Sequence, residues 1–167
     1  VPANATQAVP ANATIPAIPA NATTPITIPN ATQSWAFNKT VNGSQFIGDV
    51  NLNQTGLVFD GGFVKSAGNY TNQTSNIAIT AWIKPDYSSG SSVFTIVSKE
   101  NSFELTLHNV LSSEHVATFS IFDGIRWHSV STASQIGQGW SHIAAAFNGT
   151  DISIYTNGTI SRTAKTV

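Results

Sequence analysis

WSHIAAAFNGTDISIYTNGTI, running from Trp140 to Ile160, is the stretch that decides the fold. Its two apolar runs, HIAAAF and ISIY, flank Asn148-Gly149-Thr150-Asp151, and Asn-Gly between apolar runs is the strongest short-range hairpin signal. A second pair, Asn157-Gly158, closes the next turn. From Asp151 to Thr156 apolar and polar residues alternate, which predicts Ile152, Ile154 and Thr156 on one face and Ser153 and Tyr155 on the other. Such a strand is half-buried and antiparallel, and it needs a sheet to belong to.

The preceding chain supplies that sheet. SWAFNKTV and SQFIGDV read as short first strands, and GLVFDGGFVKSAG as strand, Asp60-Gly61-Gly62 turn, strand. In NIAITAWIKPD the residues Ile77, Ile79, Ala81 and Ile83 alternate with Ala78, Thr80, Trp82 and Lys84 until Pro85 ends the run. VFTIVSKE, SFELTLHN, HVATFSIFDG and RWHSVSTA follow at a spacing of about ten residues, each bounded by Gly, Ser, Asn or Asp. Short strands at that spacing, without a helical period between them, predict an all-β antiparallel sandwich or barrel.

Residues 1–33 are of another kind. VPANATQA, VPANATIPA, IPANATTP and ITIPNATQ form a degenerate repeat that holds most of the chain's seven prolines. Proline at that density removes backbone donors and favours an extended polyproline-II path, so the segment reads as an arm or linker ahead of a domain over 34–167. The chain starts at Val1 without a signal-type apolar segment, which reads as a processed mature chain or a fragment.

Composition narrows the function. A formal net charge of −1 and a pI near 6.4 leave no basic footprint for nucleic acid or an anionic membrane. No apolar run reaches the roughly 20 residues of a transmembrane helix. Only 9% of residues are charged, against a usual value of about 25%, so the surface is built from Asn, Ser, Thr and Gln. Cysteine is absent, which removes a disulfide framework, thiolate metal sites and a cysteine nucleophile.

Taken in order, GLVFDGGFV, NIAITAWIKPD, FTIVSKENSFELTL, TFSIFDGIRWHSV and GWSHIAAAFNGTDISIYTNGTI resemble the laminin-G-like domains of the concanavalin A-like jelly rolls. The likeness spans residues 57 to 160 and rests on the ordered set. It implies an all-β, antiparallel two-sheet jelly-roll sandwich, which here would follow the extended Pro/Asn/Thr-rich N-terminal arm read from the repeat. In that group further strands follow the Asn-Gly turn, whereas this sequence stops at Val167. The expectation is a sandwich lacking its last strands, completed by residues beyond Val167 or by a strand from another copy.

Related jelly rolls bind calcium through loop oxygens or hydrolyse polysaccharides with paired carboxylates. Asp60 and Asp123 are the calcium candidates here, although each also reads as the cap of an Asp-Gly turn. Glu100 and Glu104 come nearest to a carboxylate pair, but the glucanase-type E-x-D-x-x-E pattern is missing, so no enzymatic activity is expected. Tyr87 and Trp127 are candidate sugar-stacking rings. Trp82, Trp140 and Phe147 read as core or inter-sheet packing, and His142 as a hydrogen-bonded structural histidine.

The most specific chemical signal is the N-glycosylation sequon N-x-S/T. It occurs at Asn4, Asn12, Asn21, Asn30, Asn38, Asn42, Asn53, Asn69, Asn72, Asn148 and Asn157. Four of these stand in near-constant register in the repeat, which implies export to the cell surface or beyond. Asn148 and Asn157 lie on tight turns, where Asn is favoured for the turn itself. The expected function is an extracellular, non-catalytic module for adhesion or for recognition of glycans or cell-surface proteins. The alternative is a subunit of a surface filament, sheath or S-layer that assembles with copies of itself through the arm or by strand exchange. A polysaccharide hydrolase is the remote third reading.

Overall fold

The computed structural model describes residues 44–66, 76–109 and 114–166. The repeat arm, the SWAFNKTV segment and the sequons at Asn4, Asn12, Asn21, Asn30, Asn38, Asn42, Asn69 and Asn72 lie outside them.

Two four-stranded antiparallel sheets form the body of the protein. The first has the order β12-β11-β10-β5, with β5 at Ile77–Ile83, β10 at Ser141–Phe147, β11 at Asp151–Thr156 and β12 at Thr159–Lys165. The second runs β6-β7-β8-β9, with β6 at Val93–Lys99, β7 at Phe103–His108, β8 at Ala117–Phe122 and β9 at Trp127–Ser131. The chain crosses from the first sheet to the second after β5 and returns after β9. The expected all-β antiparallel sandwich is therefore the fold.

Alternation sets the layers. Ile79 on β5, Ile143 and Ala145 on β10, and Ile152 and Ile154 on β11 turn inward from the first sheet. Leu105 and Leu107 on β7, Phe119 and Ile121 on β8, and Val130 on β9 meet them from the second. Leu105, Phe119 and Val130 stand directly opposite one another across β7, β8 and β9. Phe119 is 0% exposed, and burying a side chain of that size contributes about 1.5–3 kcal/mol. Ile136, in the β9–β10 connection, is buried beneath one end of the sandwich, where its N–H donates to the His115 carbonyl at 2.6 Å. Phe147 joins this core as expected. Trp140, expected to pack inside, instead stands 41% exposed just ahead of β10. The residues that follow it into the core are the alternate members of β10, whose register begins at Ser141.

The two Asn-Gly turns differ. Asn157 (φ 51°) and Gly158 (φ 82°) are both left-handed, the two-residue turn whose twist suits a hairpin, and they join Thr156 to Thr159. Asn148 keeps negative φ, and its side-chain Oδ1 accepts the N–H groups of Thr150 (3.0 Å) and Asp151 (2.8 Å), an Asx-type turn.

Residues 44–66 make a separate structure from the same kind of pieces. β1 (Ser44–Ile47) pairs with β4 (Phe63–Ser66), and β2 (Val50–Asn53) pairs with β3 (Gly56–Phe59), so that one hairpin nests inside the other. Asp60-Gly61-Gly62 is thus the outer half of a bend in a long ribbon rather than a turn between paired strands. The Asp60 N–H donates to the Asp49 carbonyl at 2.9 Å across the bend. Gly62 is required there, because a Cβ would lie 2.6 Å from Val50 Cγ2 and 2.7 Å from the Asp49 nitrogen. Neither half of the ribbon pairs with either four-stranded sheet.

Candidate functional site

The core-facing residues of β6 to β9 leave their alternates on the outer surface of that sheet. Register lines Ser98, Glu104, Ser120 and Ser129 up in one row across the four strands, and Thr95, Thr106, Thr118 and Ser131 in the next. The hydroxyls bond to each other along the rows: Ser129 Oγ donates to Ser120 Oγ at 3.0 Å, and Thr118 Oγ1 and Ser131 Oγ are 2.8 Å apart. Phe122 pairs with Trp127 at the end of this face, their rings tilted 41° with centroids 5.2 Å apart. Trp127 remains 44% exposed and Ser129 is exposed, while Ser120 and Thr106 are buried.

The turn beside this aromatic end holds Asp123. One carboxylate oxygen accepts the backbone N–H groups of Ile125 (2.7 Å) and Arg126 (2.8 Å). The other lies 2.6 Å from His128 Nε2. The Arg126 N–H, the His128 imidazole and the Ile125 N–H, in that order, hold its carboxyl well below the usual carboxylate range. Ile125, at the tip of this turn, is 90% exposed.

Calcium takes six to eight oxygens. Both oxygens of Asp123 are already spent on three donors, and Asp60 lies in the ribbon of residues 44–66, in another hairpin. Among the described residues, no three His, Asp or Glu side chains gather as metal donors. The donors around Asp60 and Asp123 among the described residues do not fit calcium.

Tyr87 is at the other end of β8 from Trp127. It belongs to a single 3-10 turn, Tyr87–Ser89, capped by Asp86, whose Oδ1 accepts from Ser88 N–H at 2.9 Å. Its ring stacks on His115 at 3.7 Å with the planes 5° apart, and its hydroxyl donates to the Ile136 carbonyl at 2.6 Å. His115 is held in turn by Asn109, whose Oδ1 is 3.1 Å from His115 Nε2. Burial pushes the Tyr87 phenol above its ordinary range. One face of that ring is therefore already covered, so Trp127 is the more accessible of the two rings named from sequence.

On the outer face of the first sheet Ala144 and Tyr155 are buried, with Ala146 against them, beside the hydroxyl pair of Ser153 and Thr163. His142 is buried there beside Trp82, ring centroids 5.3 Å apart. Its backbone N–H donates to Asn157 Oδ1, and among the described residues its Nδ1 has no hydrogen-bond partner. Burial lowers the pKa of this imidazole, because the charged form would lose its hydration.

Reading the sequence alone missed Phe122 beside Trp127 and the serine pair of Ser120 and Ser129. Both follow from alternation once TFSIF and WHSVS are paired about the Asp123-Gly124 turn. The contact of Tyr87 with His115 had no local signal.

No curated protein and no solved structure matches the sequence at the significance required. Residues 59–167 do match the laminin-G family model described as the concanavalin A-like lectin/glucanases superfamily. That match starts in β3 and takes in both sheets of the sandwich. The chain belongs to the concanavalin A-like lectin/glucanase superfamily.

Proposed function

We propose that this protein is an exported, N-glycosylated and non-catalytic recognition module that binds carbohydrate at the aromatic end of the β6–β9 sheet. The observation that carries the reading is Trp127, with a half-exposed indole next to Phe122 and exposed Ser129 on the same face. A pyranose presents one face of C–H groups, which stacks on an aromatic ring, and a rim of hydroxyls, which exchange hydrogen bonds with serine and carboxylate groups. Glu104 and Ser129 offer such groups within the row that neighbours the ring pair. Because the face carries few charges, it suits a neutral sugar better than an acidic one.

The non-catalytic part of the reading is supported by register. The cross-strand neighbours of Glu104 are Ser98 and Ser120, whereas a retaining glycosidase needs a second carboxyl about 5–5.5 Å away. Export is supported by the typically extracellular setting of laminin-G-like domains and by the sequons. Among the described residues, no helix is long and apolar enough to cross a membrane.

A panel of neutral gluco-, galacto- and manno-oligosaccharides, titrated to millimolar concentration against the isotope-labelled full chain, tests the proposal. Shifts in the Trp127 indole and in the amides of Ser129 and Phe122, lost in Trp127→Ala, are the expected result. Binding that survives Trp127→Ala unchanged, or turnover of an oligosaccharide that Glu104→Gln abolishes, would sink it.

One observation favours self-assembly as a second reading. The ribbon of residues 44–66 exposes Phe46, Ile47, Leu52, Val58, Phe59 and Phe63, each between 39% and 54%, outside the pairing of both large sheets. Apolar surface of that kind is usually covered in a working assembly. Sedimentation velocity of the full chain against Phe59→Asn/Phe63→Asn checks it: self-assembly predicts oligomers that the double variant loses, and a monomer at all concentrations rules it out.

A further inference from the structure

Three sequons lie in the described structure, at Asn53, Asn148 and Asn157, and the fold treats them differently. Asn53 ends β2 at the tip of the inner hairpin. Its Oδ1 accepts three donors: the Thr55 N–H at 2.8 Å, the Thr55 hydroxyl at 2.8 Å and the Gly56 N–H at 3.1 Å. No described bond holds its Nδ2. The sequon threonine's hydroxyl is thus already bound to the sequon asparagine. At Asn148 the sequon threonine reaches the asparagine through its N–H alone, and at Asn157 no described bond joins the two. Asn148 spends its oxygen on the Thr150 and Asp151 N–H groups, and its Nδ2 donates to Asp151 Oδ2 at 3.4 Å. The same turn is tied to the end of β12, where Thr166 N–H and hydroxyl both donate to the Thr150 carbonyl. Asn157 is tied to β10: its Oδ1 accepts the His142 N–H at 2.9 Å and its own N–H donates to the His142 carbonyl at 2.8 Å.

The geometry points to Asn53 as the N-glycan acceptor of the folded domain, with Asn148 and Asn157 serving the fold as turn residues. Transfer joins Nδ2 of asparagine to C1 of a sugar supplied by a polyprenyl-phosphate-linked oligosaccharide. The new N–C1 bond forms as the C1–O bond to the lipid phosphate breaks. The phosphate leaves with that bonding pair, and Nδ2 releases one proton. Deprotonation puts negative charge on the carboxamide oxygen, and among the described residues three donors surround that oxygen at Asn53, against two at Asn148 and one at Asn157. An oligosaccharyltransferase must also bend the acceptor into its own site. The ribbon of residues 44–66 pairs with neither large sheet, so opening its tip breaks few tertiary contacts. Opening at Asn148 or Asn157 unpicks a turn of the sandwich itself.

This inference extends the proposed glycosylation but is tested without reliance on export. The purified full chain, folded or urea-unfolded and then diluted, is incubated with an oligosaccharyltransferase that requires only N-x-S/T and with its lipid-linked oligosaccharide donor. Peptide mapping then follows each site in time. In the folded chain Asn53 is expected to be modified at least about tenfold faster than Asn148 and Asn157, by analogy with an opening cost of about 1.4 kcal/mol or more. In the unfolded chain the three rates converge. Thr55→Ala removes modification at Asn53, and Thr55→Ser retains it. Equal rates at the three sites in the folded chain would overturn the inference. So would an Asn53 preference that persists unchanged after unfolding, because the fold would then have no part in it.

Discussion

Replacing Asn157 separates the two jobs its residue performs. The side chain gives the buried His142 N–H its acceptor, and the backbone holds φ at 51°. Leaving a buried amide without a partner costs about 1–3 kcal/mol. Holding alanine in the left-handed region costs about 1–2 kcal/mol more, whereas glycine tolerates it freely and Asn or Asp partly so. Asn157→Ala is therefore expected to lose about 2–5 kcal/mol, Asn157→Gly about 1–3, and Asn157→Asp, which keeps both the acceptor and the tolerance, less than about 1. For a domain of this size each kcal/mol lowers Tm by about 2–4 °C. Urea unfolding followed by tryptophan fluorescence, with a matched thermal melt, measures the series. If Asn157→Gly equals the parent within about 0.5 kcal/mol, or Asn157→Asp falls as far as Asn157→Ala, the account of this turn is wrong.

Other consequences are independent of it. Phe119→Ala empties the centre of the β7–β8–β9 face and should cost about 3–5 kcal/mol in urea unfolding. Gly62→Ala drives a Cβ into the Asp49 backbone, so amide exchange should accelerate within residues 44–66 while the sandwich keeps its protection. Burial lowers the His142 pKa, so below about pH 6.5 the unfolded chain takes up a proton that the folded chain resists. Stability should then fall as pH drops from about 6.5 towards the folded pKa, with a slope of at most about 1.4 kcal/mol per pH unit from this group. His142→Gln should flatten that limb of the urea profile, and an unchanged slope would remove His142 as its source.

Local signals in the sequence predicted the parts of the structure that depend on local rules. Asn157-Gly158 and the alternation of Asp151 to Thr156 foretold the β10–β11–β12 meander, because turn chemistry and a period of two act within a few residues. Asp60-Gly61-Gly62 misled for the same reason. The triplet has the composition of a hairpin turn, yet its backbone serves a bend whose partner, Gly48-Asp49, lies more than ten residues earlier. Trp127 was named from the sequence as a candidate sugar-stacking ring, and its outward direction came only with the pairing of β8 and β9. Tyr87 looked similar in sequence, but its ring is covered by His115, a contact across a loop and two strands that no local pattern encodes. Trp140 shows that a large aromatic beside a strand does not fix its side chain inward: the register of β10 starts one residue later. The turn roles of Asp123, Asn148 and Asn157 follow from residue type, but the strand ends to which they are bonded required the fold.

The central claim is that the aromatic end of the β6–β9 sheet is a sugar-binding surface, and two-dimensional NMR of the labelled full chain during oligosaccharide titration tests it most directly. The account predicts saturable shifts confined to Trp127, Phe122, Ser129 and their register neighbours, abolished in Trp127→Ala with the remaining spectrum intact. A spectrum unmoved by every neutral oligosaccharide at millimolar concentration, or shifts centred on Tyr87, would contradict it.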